Sequence, residues 1–244
     1  MWSEYKAQTV SLASTKLFHL GSDVYYPLGA CVYLELSGPH INTSLRSNHM
    51  RAVIINNNNL TVEERPDRRP GKGELLIRVR AAGLNAADLL QLRGMYPAPS
   101  GSPLDIPGLE LAGEVVEIGP DVFRFSLGNR VMAIVGDGAQ AELVVVNERQ
   151  AALIPETLSF EEAGGVPEAF ITADDALFTQ CSLSCGERLL VNGGAGGVGT
   201  AAIQLGIASG ATVTTTVRNP LAEVREAYER FANGGKFGKI VLTI

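Results

Sequence analysis

Eight residues, Asn192-Gly-Gly-Ala-Gly-Gly-Val-Gly199, constrain this chain more than any other segment. Gly194, Gly196 and Gly199 in them satisfy G-x-G-x-x-G. The short apolar run Glu187-Arg-Leu-Leu-Val191 precedes them and predicts a buried strand. A helix is expected from about Gly197 to Ser209, and a second strand over Ala211 to Val217. Strand, glycine turn, helix and strand make the first βαβ unit of a nucleotide-binding sheet. In such a unit Gly194 would allow the tight turn, Gly196 a close backbone approach to a pyrophosphate, and Gly199 close helix-on-strand packing. Ala195, Gly197 and Val198 complete the loop, and the helix N-terminus turns its unsatisfied N–H groups toward the phosphates. The competing reading is a purely structural tight turn.

The cofactor type is read at the end of the second strand, about 20 residues further on. An NAD site places Asp or Glu there. This chain has Thr214-Thr-Thr-Val-Arg218, with no acid to hold a 2′-hydroxyl. Arg218 would hold a 2′-phosphate by a charge-assisted bond, so NADPH is the expected cofactor. A solvated loop charge is the alternative for Arg218.

Composition removes other chemistries. The chain has 244 residues and three histidines, His19, His40 and His49, with none after Met50. The main body therefore has no imidazole for a Ser-His-Asp or Cys-His relay, or for a catalytic zinc. Three cysteines, of which only Cys181 and Cys185 lie close together, make neither a zinc ribbon nor a disulfide framework. An intracellular, reduced protein of the cytoplasm is expected. A net charge of −6 argues against nucleic acid as a partner. With no run of about 18 apolar residues, no membrane span is expected.

Along the chain, residues 1–49 are rich in Ser and Tyr and have poor periodicity, and then Met50 opens the strand Arg51-Ala-Val-Ile-Ile-Asn56. Met50 is read as the functional initiator and 1–49 as an extension, with a targeting or docking arm as the alternative. From Met50 to about Glu156, short strands alternate with turns: Glu74–Arg80, Leu109–Ile118, Arg130–Val135 and Ala141–Val146. Strands so closely spaced suggest a small barrel or sandwich. After Pro155 the period becomes helical. Ser159 and Glu162 have capping-box spacing, Pro167 opens a helix through Leu177, and a helix from Leu221 and a strand from Lys239 to Ile244 close the chain.

Taken together, several segments resemble the medium-chain dehydrogenase/reductase superfamily, and within it the zinc-independent NADPH:quinone oxidoreductases of the p53-inducible type. They are Ala81-Ala-Gly-Leu-Asn-Ala-Ala-Asp88, Arg93-Gly-Met-Tyr-Pro97, Ile106-Pro-Gly-Leu-Glu-Leu-Ala-Gly113, Gly128-Asn-Arg-Val-Met132, Gly138-Ala-Gln-Ala-Glu142, Val166-Pro-Glu-Ala-Phe-Ile-Thr-Ala173 and the glycine turn. The resemblance runs from Met50 to Arg218 and again over the last 25 or so residues. It implies an α/β plus β fold: a GroES-like, partly open β-barrel catalytic domain over 50–167, and a truncated Rossmann-type cofactor domain over 168–218. Residues 219–244 would return to the catalytic domain. Zinc-dependent members carry a cysteine ligand where this chain has Asn85, and a histidine where it has Leu109, beside Glu110. Neither replacement binds zinc as those ligands do, so the resemblance implies metal-free hydride transfer from NADPH to a quinone or conjugated enone.

By the same resemblance, Tyr96 and Asn85 stand near the substrate oxygen that gains charge, and Thr172 faces the nicotinamide. The bland alternatives are a loop aromatic packed on Pro97 and Pro99 for Tyr96, a cap of the helix Ala86–Leu92 for Asn85, and a back-bonded helix hydroxyl for Thr172. A doubly wound sheet needs about six strands, whereas only two precede Asn219-Pro220-Leu221. By the resemblance, on the order of a hundred residues of the family pattern are skipped there, as in an internal deletion. A two-strand remnant would expose a sheet edge and leave the adenine pocket half walled. That predicts weak or absent NADPH binding and a tendency to aggregate or pair with another chain, as a homodimer would. The second function class is a non-catalytic remnant, a pseudoenzyme or interaction module.

Overall fold

The computed structural model describes residues 32–35, 48–216 and 240–243. These fall into two compact units, divided between Pro167 and Glu168.

In the first unit, β1 (Val32–Glu35), β4 (Glu74–Leu84), β5 (Glu110–Ile118), β6 (Arg130–Ile134), β7 (Leu143–Asn147), β8 (Ala151–Leu153) and β11 (Ile240–Thr243) form one seven-stranded sheet. Its order is β1-β11-β4-β5-β6-β8, with β7 also on β4. β4 is 11 residues long because two antiparallel partners share one of its edges end to end. β7 covers Glu74–Arg78 and β11 covers Ala81–Leu84. Register shifts at Leu76/Ile77 and Val79/Ala81 coil β4 against β5, which bends the sheet toward a barrel.

The strands β2 (His49–Asn56) and β3 (Asn59–Pro66) form a separate hairpin. Asn57 and Asn58 turn it with φ of 49° and 61°, the left-handed pair a two-residue hairpin requires. Neither β3 nor β8 stands out in the sequence. β3 is largely exposed and charged, so it has no apolar alternation to read. β1 lies within the stretch read as an unpatterned extension.

Leu75, Ile77, Leu111, Val115, Val131 and Val146 fill the core of the sheet. A satellite cluster of Ala112, Ile154 and Ala163 seats α2 (Phe160–Ala163). The helix starts as its spacing predicts: Ser159 Oγ accepts from Glu162 N, and Glu162 Oε2 accepts from Ser159 N.

The second unit holds α3 (Pro167–Asp174), β9 (Arg188–Asn192), α4 (Gly197–Ala208) and β10 (Thr212–Thr216). β9 and β10 pair in parallel from Thr212↔Arg188 to Thr216↔Asn192, as a βαβ crossover demands. The α-helix expected to reach Leu177 ends at Asp174 and continues as a π-helical stretch over Asp175–Gln180. Ala169, Ala173, Leu177, Val191, Ala201 and Ala202 form the core between helices and strands. Arg218, the Asn219-Pro220-Leu221 junction and the helix expected from Leu221 lie outside the described residues.

Candidate functional site

The glycine turn sits where β9 ends and α4 begins. Gly193 adopts φ +79°, so the left-handed residue of the turn is Gly193 and not Gly194. Gly194 is required for space: a Cβ there would overlap Thr215 Oγ1 and stand 2.9 Å from the Ile203 side chain. A Cβ on Gly199 would overlap the Gly193 carbonyl and approach Gly194 Cα at 2.8 Å. Gly194 and Gly199 thus let the helix lie against the strand. Gly196 differs. Its φ of −82° suits any residue, and a Cβ would meet only Gly193 O, at 3.4 Å.

Gly196 is the N-cap of α4, and it supplies no side-chain cap. The first turn of the helix also contains no acid. The N–H groups of Gly197, Val198 and Gly199 have no partner one turn earlier in the helix, and among the described residues no side chain caps this positive end of the dipole. At the far end of the turn, Gly193 N and Gly194 N both donate to Thr216 O at 3.0 Å. Thr216 Oγ1 donates to Asn192 Oδ1 at 3.0 Å. These bonds tie the loop to the end of β10. A pyrophosphate fits this cradle: bare backbone at Gly196, an uncapped helix end and a rigid support.

Also in this unit, Thr172 is exposed on α3, and its hydroxyl donates to Glu168 Oε1 at 3.4 Å, one turn back. The expected alternative was a bond to a backbone carbonyl. The carboxylate takes the hydroxyl instead.

The first unit carries the other candidates. Asn85 is the N-cap of α1 (Ala86–Leu92). Its backbone N–H donates to Asp88 Oδ2 at 2.7 Å, and its side-chain Nδ2 donates to Glu110 Oε1 at 3.0 Å. Asn85 is therefore a capping residue and also a partner of Glu110, which has no exposed surface. A Cβ at Gly83 would overlap the Glu110 carboxylate, so Gly83 leaves the room that Glu110 needs. Leu109 is buried beside it. Among the described residues, no group of three His, Cys, Asp or Glu is placed to hold a metal ion. Tyr96, 38% exposed, lies on the loop after α1.

Sequence reasoning missed Asp137. It lies in the Gly136-Asp-Gly138 turn and is only 4% exposed. Gln91 Nε2, at the buried end of α1, donates to Asp137 Oδ2, and Gly138 N donates to Oδ1 at 3.0 Å. Burial pushes the Asp137 carboxyl from 3.8 up to about 7; the two hydrogen bonds pull against it, and the nearby Asp88 charge adds to the rise. The sequence separation of 46 between Gln91 and Asp137 hides this pair from any local motif.

Residues 71–156 match the alcohol dehydrogenase GroES-like domain family. That match and the solved neighbours make the chain similar to the medium-chain dehydrogenase/reductase superfamily. Among its relatives, the human synaptic vesicle membrane protein VAT-1 homolog is 43% identical over 136 residues, 56% of this chain and 34% of that protein. The solved structure of the human VAT-1 homolog-like protein matches with a TM-score of 0.64 and 35% identity, covering 74% of this chain and 59% of that one. A solved quinone oxidoreductase from Coxiella burnetii matches with a TM-score of 0.62 and 31% identity, covering 77% of this chain and 61% of its own. The chain thus spans about a third of the VAT-1 relative and about three fifths of the solved neighbours. That likeness covers the fold of each unit: a GroES-like sheet, and a Rossmann-type βαβ that has two strands among the described residues. Among those residues, no helix is long and apolar enough to cross a membrane.

Proposed function

We propose that this chain derives from a zinc-free NADPH-dependent reductase of quinones or conjugated enones and acts as one with an activity reduced by the missing cofactor-domain strands. The observation that carries the reading is the uncapped α4 terminus on the Gly194–Gly199 cradle, where Gly196 is bare although its own backbone does not require glycine. When bound, NADPH supplies a hydride from C4 of its nicotinamide, and a proton completes the two-electron reduction.

The chain's residues bind and orient. The first-turn N–H groups of Gly197, Val198 and Gly199 receive the pyrophosphate, and Ala195 keeps the turn small. The Thr214-Thr-Thr216 end of β10 has no acid to reject a 2′-phosphate, and Arg218 is the residue assigned to bind it. Thr172, oriented by Glu168, is assigned to the nicotinamide side. Asn85, aligned by Glu110, and Tyr96 donate to the substrate oxygen as it gains charge. Asn85 and Leu109 in the ligand positions of zinc members support a metal-free site. The Coxiella burnetii neighbour, a quinone oxidoreductase, supports the substrate class. Exposed Cys181 and Cys185, both free, suit a reducing cytoplasm.

One observation favours the second reading, a non-catalytic remnant or interaction module: β10 is mostly exposed, and Leu190 is 60% exposed. Titration of the purified full chain with NADPH, followed by the nicotinamide fluorescence, separates the two. Saturable binding with 1,2-naphthoquinone-dependent NADPH loss supports the reductase. No saturable change at millimolar NADPH rejects it.

A further inference from the structure

The Gly136-Asp-Gly138 turn meets the Tyr96 segment at both of its ends. Gln91, five positions before Tyr96, donates to the Asp137 carboxylate. Pro99, three positions after it, lies where a Cβ on Gly136 would meet Pro99 Cγ at 3.1 Å and Ser102 Oγ at 2.5 Å. A Cβ on Gly138 would stand 2.9 Å from Pro103 Cγ, and Gly138 is held at φ +94°. A side chain on either glycine would push the loop away.

The loop itself stands clear of the body. A Cβ at Gly94 or at Gly101 would meet nothing within 4 Å. Its internal ties are short-range turns, Gly94 N to Gln91 O at 2.8 Å and Ser102 N to Pro99 O at 3.1 Å. Beyond Pro103 the chain is caught again, where Ile55 N donates to Asp105 O at 2.8 Å. Between Gln91 and Pro103, then, three points of the segment, at Gln91, at Pro99 with Ser102, and at Pro103, meet three consecutive residues.

We propose that the 136–138 turn is a clamp that sets where Tyr96 stands, with Asp137 as a positioning residue for that side chain. This inference rests on the reading of Tyr96 as a substrate-pocket donor. Its chemistry is specific. A buried carboxyl bonded to a buried amide holds a distance and a direction that an apolar contact does not. The glycines on either side let the turn approach Pro99 and Pro103 without a Cβ between them. Asp137 touches neither substrate nor cofactor in this scheme; it acts through Gln91 and the loop.

The test is hydrogen–deuterium exchange of the full chain at pH 6, comparing wild type with Asp137→Ala, Gln91→Met and Asp137→Asn. Loss of the tie should raise exchange over 93–104 about tenfold in the first two variants. Peptides over 110–118 should be unchanged. Asp137→Asn, which keeps a neutral acceptor for Gln91, should stay close to wild type. If Asp137→Ala does not fold, Gln91→Met decides alone. Unchanged exchange over 93–104 in folded variants, or an equal rise throughout the first unit, would overturn the clamp.

A kinetic cycle adds a readout that general loosening does not give. With NADPH and 1,2-naphthoquinone, Asp137→Ala should lower kcat about as Tyr96→Phe does, and should cost nothing more in the Tyr96→Phe background. Full additivity would overturn the assignment. If the wild-type chain shows no NADPH-dependent quinone loss, the reductase reading fails, while the exchange result still decides the clamp.

Discussion

The two units solve the same problem to different extents. In the first, large side chains are sealed: Leu75, Ile77, Leu111 and Val131 lose all contact with solvent. In the second, the fully buried positions among the described residues are the alanines Ala173 and Ala201, while Leu190, Val198 and Ile207 stay 60%, 42% and 39% exposed. Local geometry is not the cause. β9, α4 and β10 have parallel register, close helix–strand packing and a satisfied turn. What differs is cover: one sheet closes toward a barrel, whereas the other has two strands among the described residues. A βαβ unit can therefore hold its glycine turn intact and still lack the burial that makes a stable body.

The largest expected effect tests that contrast directly. Leu111→Ala should destabilise the first unit by about 2–5 kcal/mol, the usual cost of emptying a sealed core site. Leu190→Ala should change stability by no more than about 0.5 kcal/mol. Urea unfolding followed by circular dichroism measures both. A Leu190→Ala loss as large as that of Leu111→Ala would break the comparison, and would mean that β9 is covered in solution.

The same contrast marks what the sequence reveals. The strands β4, β5 and β6, the Ser159 capping box and the βαβ order are legible because alternation, caps and glycine spacing are local properties. β3 is not, since Thr61, Glu63, Glu64 and Arg65 hide a strand whose pairing is set by the Asn57-Asn58 turn. The π-helical stretch after Asp174 is missed because it departs from the 3.6-residue period by a single extra residue per turn. In the candidate site, the glycine cradle is legible and the function of each glycine only partly so. Gly194 was expected to serve the turn and serves packing. Asp137 and Gln91 are invisible because their pairing exists only once β6 and α1 have been brought together.

Asp137 yields the next prediction. Its carboxyl is raised to about 7 in the fold, from 3.8. Between those values the folded protein holds a proton that the unfolded chain has released, so the group favours the unfolded state increasingly as pH rises. Stability from this group is fully present below about pH 4 and is lost by about pH 7, with no further change above. At about 1.4 kcal/mol per pH unit, the loss is on the order of 4 kcal/mol. Carboxylates such as Glu63, held low by Arg65, act in the opposite sense, so the quantity to read is the difference between wild type and Asp137→Asn. Urea unfolding from pH 4 to pH 8 should show wild type losing stability relative to the variant. A constant difference across that range would mean that the carboxyl titrates alike in both states.

Gly199→Ala comes next, at about 1–3 kcal/mol. Its methyl would overlap the Gly193 carbonyl, and α4 would have to lift from β9 to admit it. Thermal unfolding read through the second unit should show the loss, with the first unit unchanged. An unaffected second unit would show that α4 packs more loosely than the turn implies.

Gly196→Ala should disturb the fold least and sharpen the comparison most. The backbone at 196 already lies at φ −82° and ψ 165°, where alanine is comfortable. The added methyl meets only the Gly193 carbonyl at 3.4 Å. Alanine is a somewhat poorer N-cap than glycine, but it loses less chain entropy on folding, so the net change should be within about 0.5 kcal/mol. The cradle, by contrast, depends on backbone being bare there, because a bound pyrophosphate must approach the first-turn N–H groups. If the cradle is used, the variant should fold as wild type does while its NADPH Kd rises by at least about tenfold, a difference of 1.4 kcal/mol. Fluorescence titration beside circular dichroism reads both quantities on one sample. An unchanged Kd in a folded Gly196→Ala protein would put the phosphates elsewhere, and the glycine turn would then serve only to seat α4 on β9.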